Sequence, residues 1–179
     1  MTRTAKTYGG ALYDLARSEQ LDDAILQDVS GVMTVFDANP DYMRLLCTPS
    51  IPKEERRGLL EEAFGAAVHP YVLSFMNLLC DNGTLLELPG CAREYRRRHH
   101  ADHGIMEVCA VTAVPMKPEL QEKLRARIES LTGKTVELTS RVEESILGGV
   151  RLELPDRQLD GTVAYHLEEI QRILRNTVI

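Results

Sequence analysis

The sequence predicts an α+β fold, an N-terminal six-helix bundle followed by a smaller C-terminal α/β domain. Three observations carry this prediction. Apolar residues recur at helical spacing through the first hundred or so positions, and β-branched or alternating segments begin only after Gly104. The chain has 179 residues, 44% of them hydrophobic and 27% charged, an ordinary globular composition. That length accommodates two small domains, read here as 1–104 and 105–179.

The first helix rests on Ala5, Tyr8, Leu12 and Leu15, spaced by threes and fours. The second repeats the period in Leu21, Ile25, Val29, Val32 and Phe36. Asn39-Pro40 reads as a cap plus a proline tolerated in the first turn of a short third helix with Tyr42, Leu45 and Leu46, closed by Pro49. Ser50 to Glu55 opens a fourth helix, with acids where the helix dipole favours them; Leu59, Leu60, Ala63 and Phe64 are its apolar face. Pro70 opens the fifth, which ends at Asn82-Gly83, a left-handed stop. Pro89 lies at the start of the sixth, which runs through the charged segment Glu94 to His103 and ends at Gly104. Beyond it, Ile105 to Val114 reads as a buried strand and Pro115 to Pro118 as a break. Leu120, Leu124, Ile128 and Leu131 form a helix stopped at Gly133. Val136, Leu138 and Val142 alternate with polar residues, as do Val150, Leu152 and Leu154. Pro155-Asp156-Arg157 reads as a turn, and Val163, Leu167, Ile170 and Leu174 as a last amphipathic helix.

Several function classes lose ground on composition. Net charge is −6, divided as −4 over 1–104 and −2 over 105–179, so neither half is a basic nucleic-acid module. The run Arg96-Arg97-Arg98-His99-His100 reads as a solvated helix face paired with residues such as Glu94 and Asp102. RNA contact through those arginines, in a helical protein of the transcription-antitermination type, is the alternative. The longest apolar stretch, Tyr71 to Cys80, is about half of a membrane span, and the polar N-terminus is not a secretory signal. Cys47, Cys80, Cys91 and Cys109 lack CxxC spacing and read as reduced thiols of a cytosolic protein. His99 and His103 are four apart, but without HExxH or a cysteine pair they read as solvated surface residues, so no metal site is expected. Gly133-Lys134-Thr135 imitates the tail of a phosphate loop, yet it follows a helix and precedes a strand, the wrong order, so no nucleotide or other cofactor is expected. No nucleophile motif appears, and no catalytic residue is assigned.

Two helices carry more apolar surface than a single core requires. In the first, apolar or small residues from Ala5 to Ala16 cover roughly 200° of the circumference, where a core-facing stripe needs about 100° or a little more. The fifth does the same from Tyr71 to Cys80. Such helices are either buried all round or line a groove for a partner's amphipathic helix.

The ordered motifs resemble one family. Tyr8-Gly9-Gly10-Ala11-Leu12-Tyr13-Asp14-Leu15-Ala16 resembles the opening helix of the delta subunit of bacterial F-type ATP synthase, related to the mitochondrial oligomycin-sensitivity-conferring protein. Leu46 to Pro52, Leu59-Leu60 with Phe64, and Phe75 to Gly83 with Leu85 and Leu88-Pro89 follow in the same order. So do Val111 to Pro115, Thr132-Gly133-Lys134, Leu147-Gly148-Gly149-Val150 and Asp160-Gly161-Thr162-Val163. Departures are Gly9-Gly10 in place of better helix formers, Thr84 where a basic residue is common, Glu143 for Asp, and Cys91 at an aliphatic place.

The resemblance implies a non-catalytic peripheral-stalk subunit at the cytoplasmic face of the cell membrane, without insertion into it. The helical domain would hold the N-terminal segment of an alpha subunit between its first and fifth helices, and the second domain would meet the C-terminal coiled coil of the b subunits. Tyr8, Ala11, Leu12, Phe75 and Leu79 are the expected groove residues. Neither a small-molecule substrate nor nucleic acid is implied as a partner.

Overall fold

The computed structural model describes residues 1–146, 148–154 and 158–162. In chain order the helices are α1 (Arg3–Ser18), α2 (Asp22–Ala38), α3 (Pro40–Leu46), α4 (Lys53–Phe64), α5 (Pro70–Asp81) and α6 (Leu88–His103), with a 3₁₀ turn at Leu85–Glu87 before α6. They are followed by β1 (Ile105–Thr112), α7 (Pro118–Thr132), β2 (Thr135–Val142), β3 (Gly149–Glu153) and β4 (Gln158–Thr162). The fold is therefore α+β, with seven α-helices and a four-stranded sheet among the described residues.

The chain divides into two compact units, Met1–His100 and Ala101–Ile179. In the first, the helical period read from the sequence becomes one core. Ile25, Val29, Val32 and Phe36 of α2 share this core with Leu46, Leu60, Phe64 and Met76, all buried. Phe36, Tyr42 and Phe64 form a ring cluster, with Phe36 stacked on Tyr42 at 5.8 Å. Tyr42 and Tyr95 bring hydroxyls inward and satisfy them, donating to the carbonyls of Leu59 (2.8 Å) and Asp22 (2.9 Å). Thr2 caps α1 by accepting from the Ala5 N–H. Asn39 occupies the N-cap position of α3 but does not cap it. Its amide instead donates back to the Val35 carbonyl at 2.9 Å, closing the end of α2.

The α1–α6 crossing accounts for the glycine at position 9. A Cβ at Gly9 would stand 2.4 Å from the Cys91 carbonyl oxygen, and one at Gly90 2.8 Å from the Ala5 Cβ. The two backbones touch, so helix propensity yields to close approach at Gly9. Cys91 itself is buried.

In the second unit the strand order is β2-β1-β3-β4. β1 and β2 are parallel, joined by the α7 crossover that such a connection requires. β3 pairs antiparallel with both β1 and β4. The pleat places Met106, Val108, Val136, Leu138, Leu152 and Leu154 with Ile128 and Leu124 of α7 in a second, smaller core. Gly133 stops α7 in the left-handed region (φ 66°), so the phosphate-loop look-alike is a helix terminus.

Two features differ from the sequence reading. β1 ends at Thr112 rather than Val114, because the Thr112 hydroxyl turns to donate to the Val114 carbonyl at 2.8 Å. β4 lies where no strand was expected. Its pairing with β3 is a backbone matter, and Gln158-Leu159-Asp160-Gly161-Thr162 offers one large apolar residue and no alternation to signal it. The turn at 155–157 and the last amphipathic helix fall outside the described residues.

Candidate partner-binding surface

The five expected groove residues separate into two depths. Leu12 (5% exposed), Phe75 (7%) and Leu79 (0%) belong to the core of the first unit. Tyr8 is half-buried against that core, and Ala11 is exposed. Residues beside them complete an apolar surface. Leu15 is 42% exposed and follows Ala11 by four positions, so Tyr8, Ala11 and Leu15 share one stripe of α1. On α5, Leu78 is 46% exposed and stands seven residues from half-buried Tyr71, with Ser74 between them on the same side. The Asn82 amide at the end of α5 donates to the Tyr8 hydroxyl at 3.3 Å and ties the two stripes together. Leu15 and Leu78 are therefore the outward residues of this surface. Their spacing was legible in sequence; their exposure was not, because a helical wheel does not say which arc meets solvent.

α5 is itself held firmly. Its proline start follows His69, whose Nδ1 accepts from the Tyr71 N–H, while the His69 N–H donates to Asp28 at 2.7 Å. Near its other end Asp81 receives both a bidentate pair from Arg57 of α4 and a depressed pKa, chiefly through that hydrogen bonding.

The arginine run is engaged within the first unit. Arg97 donates two hydrogen bonds to Glu94 (2.9 and 2.8 Å), and Arg98 bridges Glu94 and Asp14 of α1 at 3.0 Å each. Arg96 reaches Ser30 of α2 at 3.2 Å. The Glu94 side chain is 3% exposed, and the Arg97 guanidinium above all, then Arg98, holds its carboxyl down at about 2 against the cost of burial. A buried carboxylate of this kind is not signalled by a charge run. His99 also departs from the sequence reading. It is 3% exposed rather than solvated, packed edge-on to Tyr13, with Nε2 2.8 Å from Asp23.

The second unit offers a different surface. Among the described residues an open hollow of about 450 Å³ is lined by Leu124 of α7, Val150 and Leu152 of β3, and Leu159 of β4. Around β2 and β3, Arg151 pairs with Glu143 at 2.7 Å and Arg141 with Glu153 at 3.0 Å. Glu143 accepts from Arg151 and also from the Ser145 hydroxyl, each at 2.7 Å. All four cysteines are free thiols, and burial pushes Cys91 up to about 11. No described helix is long and apolar enough to cross a membrane.

Comparison with known proteins gives a consistent result. Residues 4–174 match the family described as ATP synthase delta (OSCP) subunit. An ATP synthase subunit delta of Gloeobacter violaceus is 34% identical over 170 residues, covering 93% of this chain and 91% of that one. One from Desulfitobacterium hafniense is 29% identical over 170 residues and covers 95% of each chain. Among solved structures, a chain of the Toxoplasma gondii mitochondrial ATP synthase hexamer shares the fold. Its TM-score is 0.75 at 17% identity, over 97% of this chain and 98% of that one.

Proposed function

The chain belongs to the ATP synthase delta (OSCP) subunit family, and from that membership we propose how it serves as a peripheral-stalk subunit. It is a structural and coupling component of the complex with no active site of its own. Its place is peripheral, at the cytoplasmic face of the cell membrane. The first unit docks the N-terminal segment of an alpha subunit as an amphipathic helix along α1 and α5. The observation that carries this is the pair of outward apolar stripes, Tyr8-Ala11-Leu15 and Tyr71-Leu78, joined by the Asn82–Tyr8 hydrogen bond. Leu12, Phe75 and Leu79 form the floor beneath them, and a partner helix would lay its own apolar residues across that floor.

The second unit meets the C-terminal coiled coil of the b subunits. The hollow edged by Leu124, Val150, Leu152 and Leu159 supports this reading, since it presents apolar side chains at the surface. Proton flow turns the rotor inside the catalytic head, and an unanchored head would turn with it. A stator resists by holding both ends at once. Each contact keeps the other at high effective concentration, so total avidity exceeds either affinity by roughly 100-fold or more. The RNA-binding alternative has no support among the relatives, and Arg97 and Arg98, which it needs, are paired with Glu94.

Calorimetric titration of the full chain with the N-terminal segment of the alpha subunit from the same organism tests this docking. One-to-one binding is expected, with Leu15→Ala and Leu78→Ala each weakening it while the melting temperature stays nearly unchanged. Phe75→Ala is expected to cost about 3–5 kcal/mol of stability as well, because it opens the core. Undiminished binding by the Leu15 and Leu78 variants together would remove the α1/α5 surface from the mechanism.

A further inference from the structure

We infer that the start of α2 and the facing turn of α6 form a binding site for one divalent transition-metal ion, with Asp22, Asp23 and His99 as ligands. The three side chains offer two carboxylate oxygens and one imidazole nitrogen, all within 4.8 Å of one another. His99 Nε2 stands 2.8 Å from the Asp23 carboxylate and 4.0 Å from that of Asp22. Ligand atoms bound at about 2.0–2.2 Å to a common ion lie near 3 Å apart, so small side-chain rotations suffice.

The frame is already in place. The Tyr95 hydroxyl of α6 holds the Asp22 carbonyl at 2.9 Å, fixing the first turn of α2 against α6. The His99 ring is buried and wedged edge-on against both Tyr13 and His100, so its orientation is not free to drift. An ion here would find little ordering left to do. Both acids stand in the first turn of α2, beside each other in the chain. The set is therefore two carboxylates and one imidazole. The Asp23 side chain is 76% exposed, which leaves the ion open to water at its remaining positions.

The donor set selects the class of ion. Imidazole nitrogen with carboxylate oxygen suits zinc, cobalt, nickel or manganese, whereas magnesium prefers an all-oxygen shell and gives up water reluctantly. Bound there, the ion would cross-link α2 to α6 and stabilise the first unit.

The test uses the full chain, stripped with chelator and titrated with Co²⁺, followed by its visible absorption and by thermal melting. The expected result is saturable one-to-one binding with no thiolate-to-cobalt charge-transfer band and a raised melting temperature reversed by chelator. Mg²⁺ at the same concentration should leave the melting temperature unmoved. Asp23→Asn, at an exposed side chain that spares the core, should weaken Co²⁺ binding at least tenfold. Asp41→Asn, at a 91% exposed carboxylate on α3, should not. Circular dichroism of both variants separates lost binding from lost fold, and Asp22→Asn serves in place of Asp23→Asn if the latter unfolds. Absence of saturable binding, a thiolate band, or equal affinity in Asp23→Asn would overturn the site.

Discussion

Glu94 shows how much one residue can alter a function reading. As a letter in a charge run it belongs to a solvated helix face; in the fold it is the buried acceptor that Arg97 and Arg98 converge on. Its carboxyl is held at about 2, below the ordinary carboxylate range, so the proton is bound more tightly by the unfolded chain than by the folded one. The stability it contributes is complete above about pH 4.5 and is lost as pH falls toward 2, by at most about 3 kcal/mol. Glu94→Gln should cost about 1.5–3 kcal/mol at neutral pH and flatten that acid limb, as read from urea midpoints between pH 7 and 2. Cysteine exposure gives a second check. Cys91, raised to about 11 by burial, should resist alkylation at pH 8 until unfolding, whereas half-buried Cys47 and Cys109 react first; mass spectrometry of the labelled chain reads the order.

Among the elements, the long ones were legible and the contacts between them were not. α2, α5 and α7 follow from apolar period, with a proline start for α5 and glycine stops at Gly83 and Gly133, all local signals. β4 escaped because an edge strand needs only a backbone neighbour. The depth of Leu12, Phe75 and Leu79 escaped because period gives a face and not its burial. His99 escaped because a histidine's surroundings come from other helices. Gly9 is the sharpest case: propensity alone says Ala would gain about 1 kcal/mol. The structure reverses that sign, since the new Cβ would collide with the Cys91 backbone, and Gly9→Ala should lose about 1–3 kcal/mol as α1 and α6 are forced apart. Gly31→Ala on α2, where nothing lies within 4 Å, should instead gain about 0.5–1 kcal/mol. Denaturant melts of the two variants should move in opposite directions.

On the scale of the whole molecule, the two units have unequal cores. The first joins side chains from all six of its helices, while the described core of the second centres on Val108, Ile128 and Val136. Stability of this kind is not shared evenly along a chain. Urea unfolding followed by hydrogen exchange should expose the amides of β1 and β2 before those of α1, α5 and α6. Coincident exchange across both units would mean a single cooperative block. The first unit's firmness has a mechanical side. At Gly9 the α1 backbone rests on the Cys91 carbonyl with no side chain between them. Contacts made by side chains yield to a sideways pull by changing rotamer, but main chain against main chain has no such slack. A tug on any segment lying along α1 would pass into α6 as through a keyed joint, with almost none of the pull lost in give.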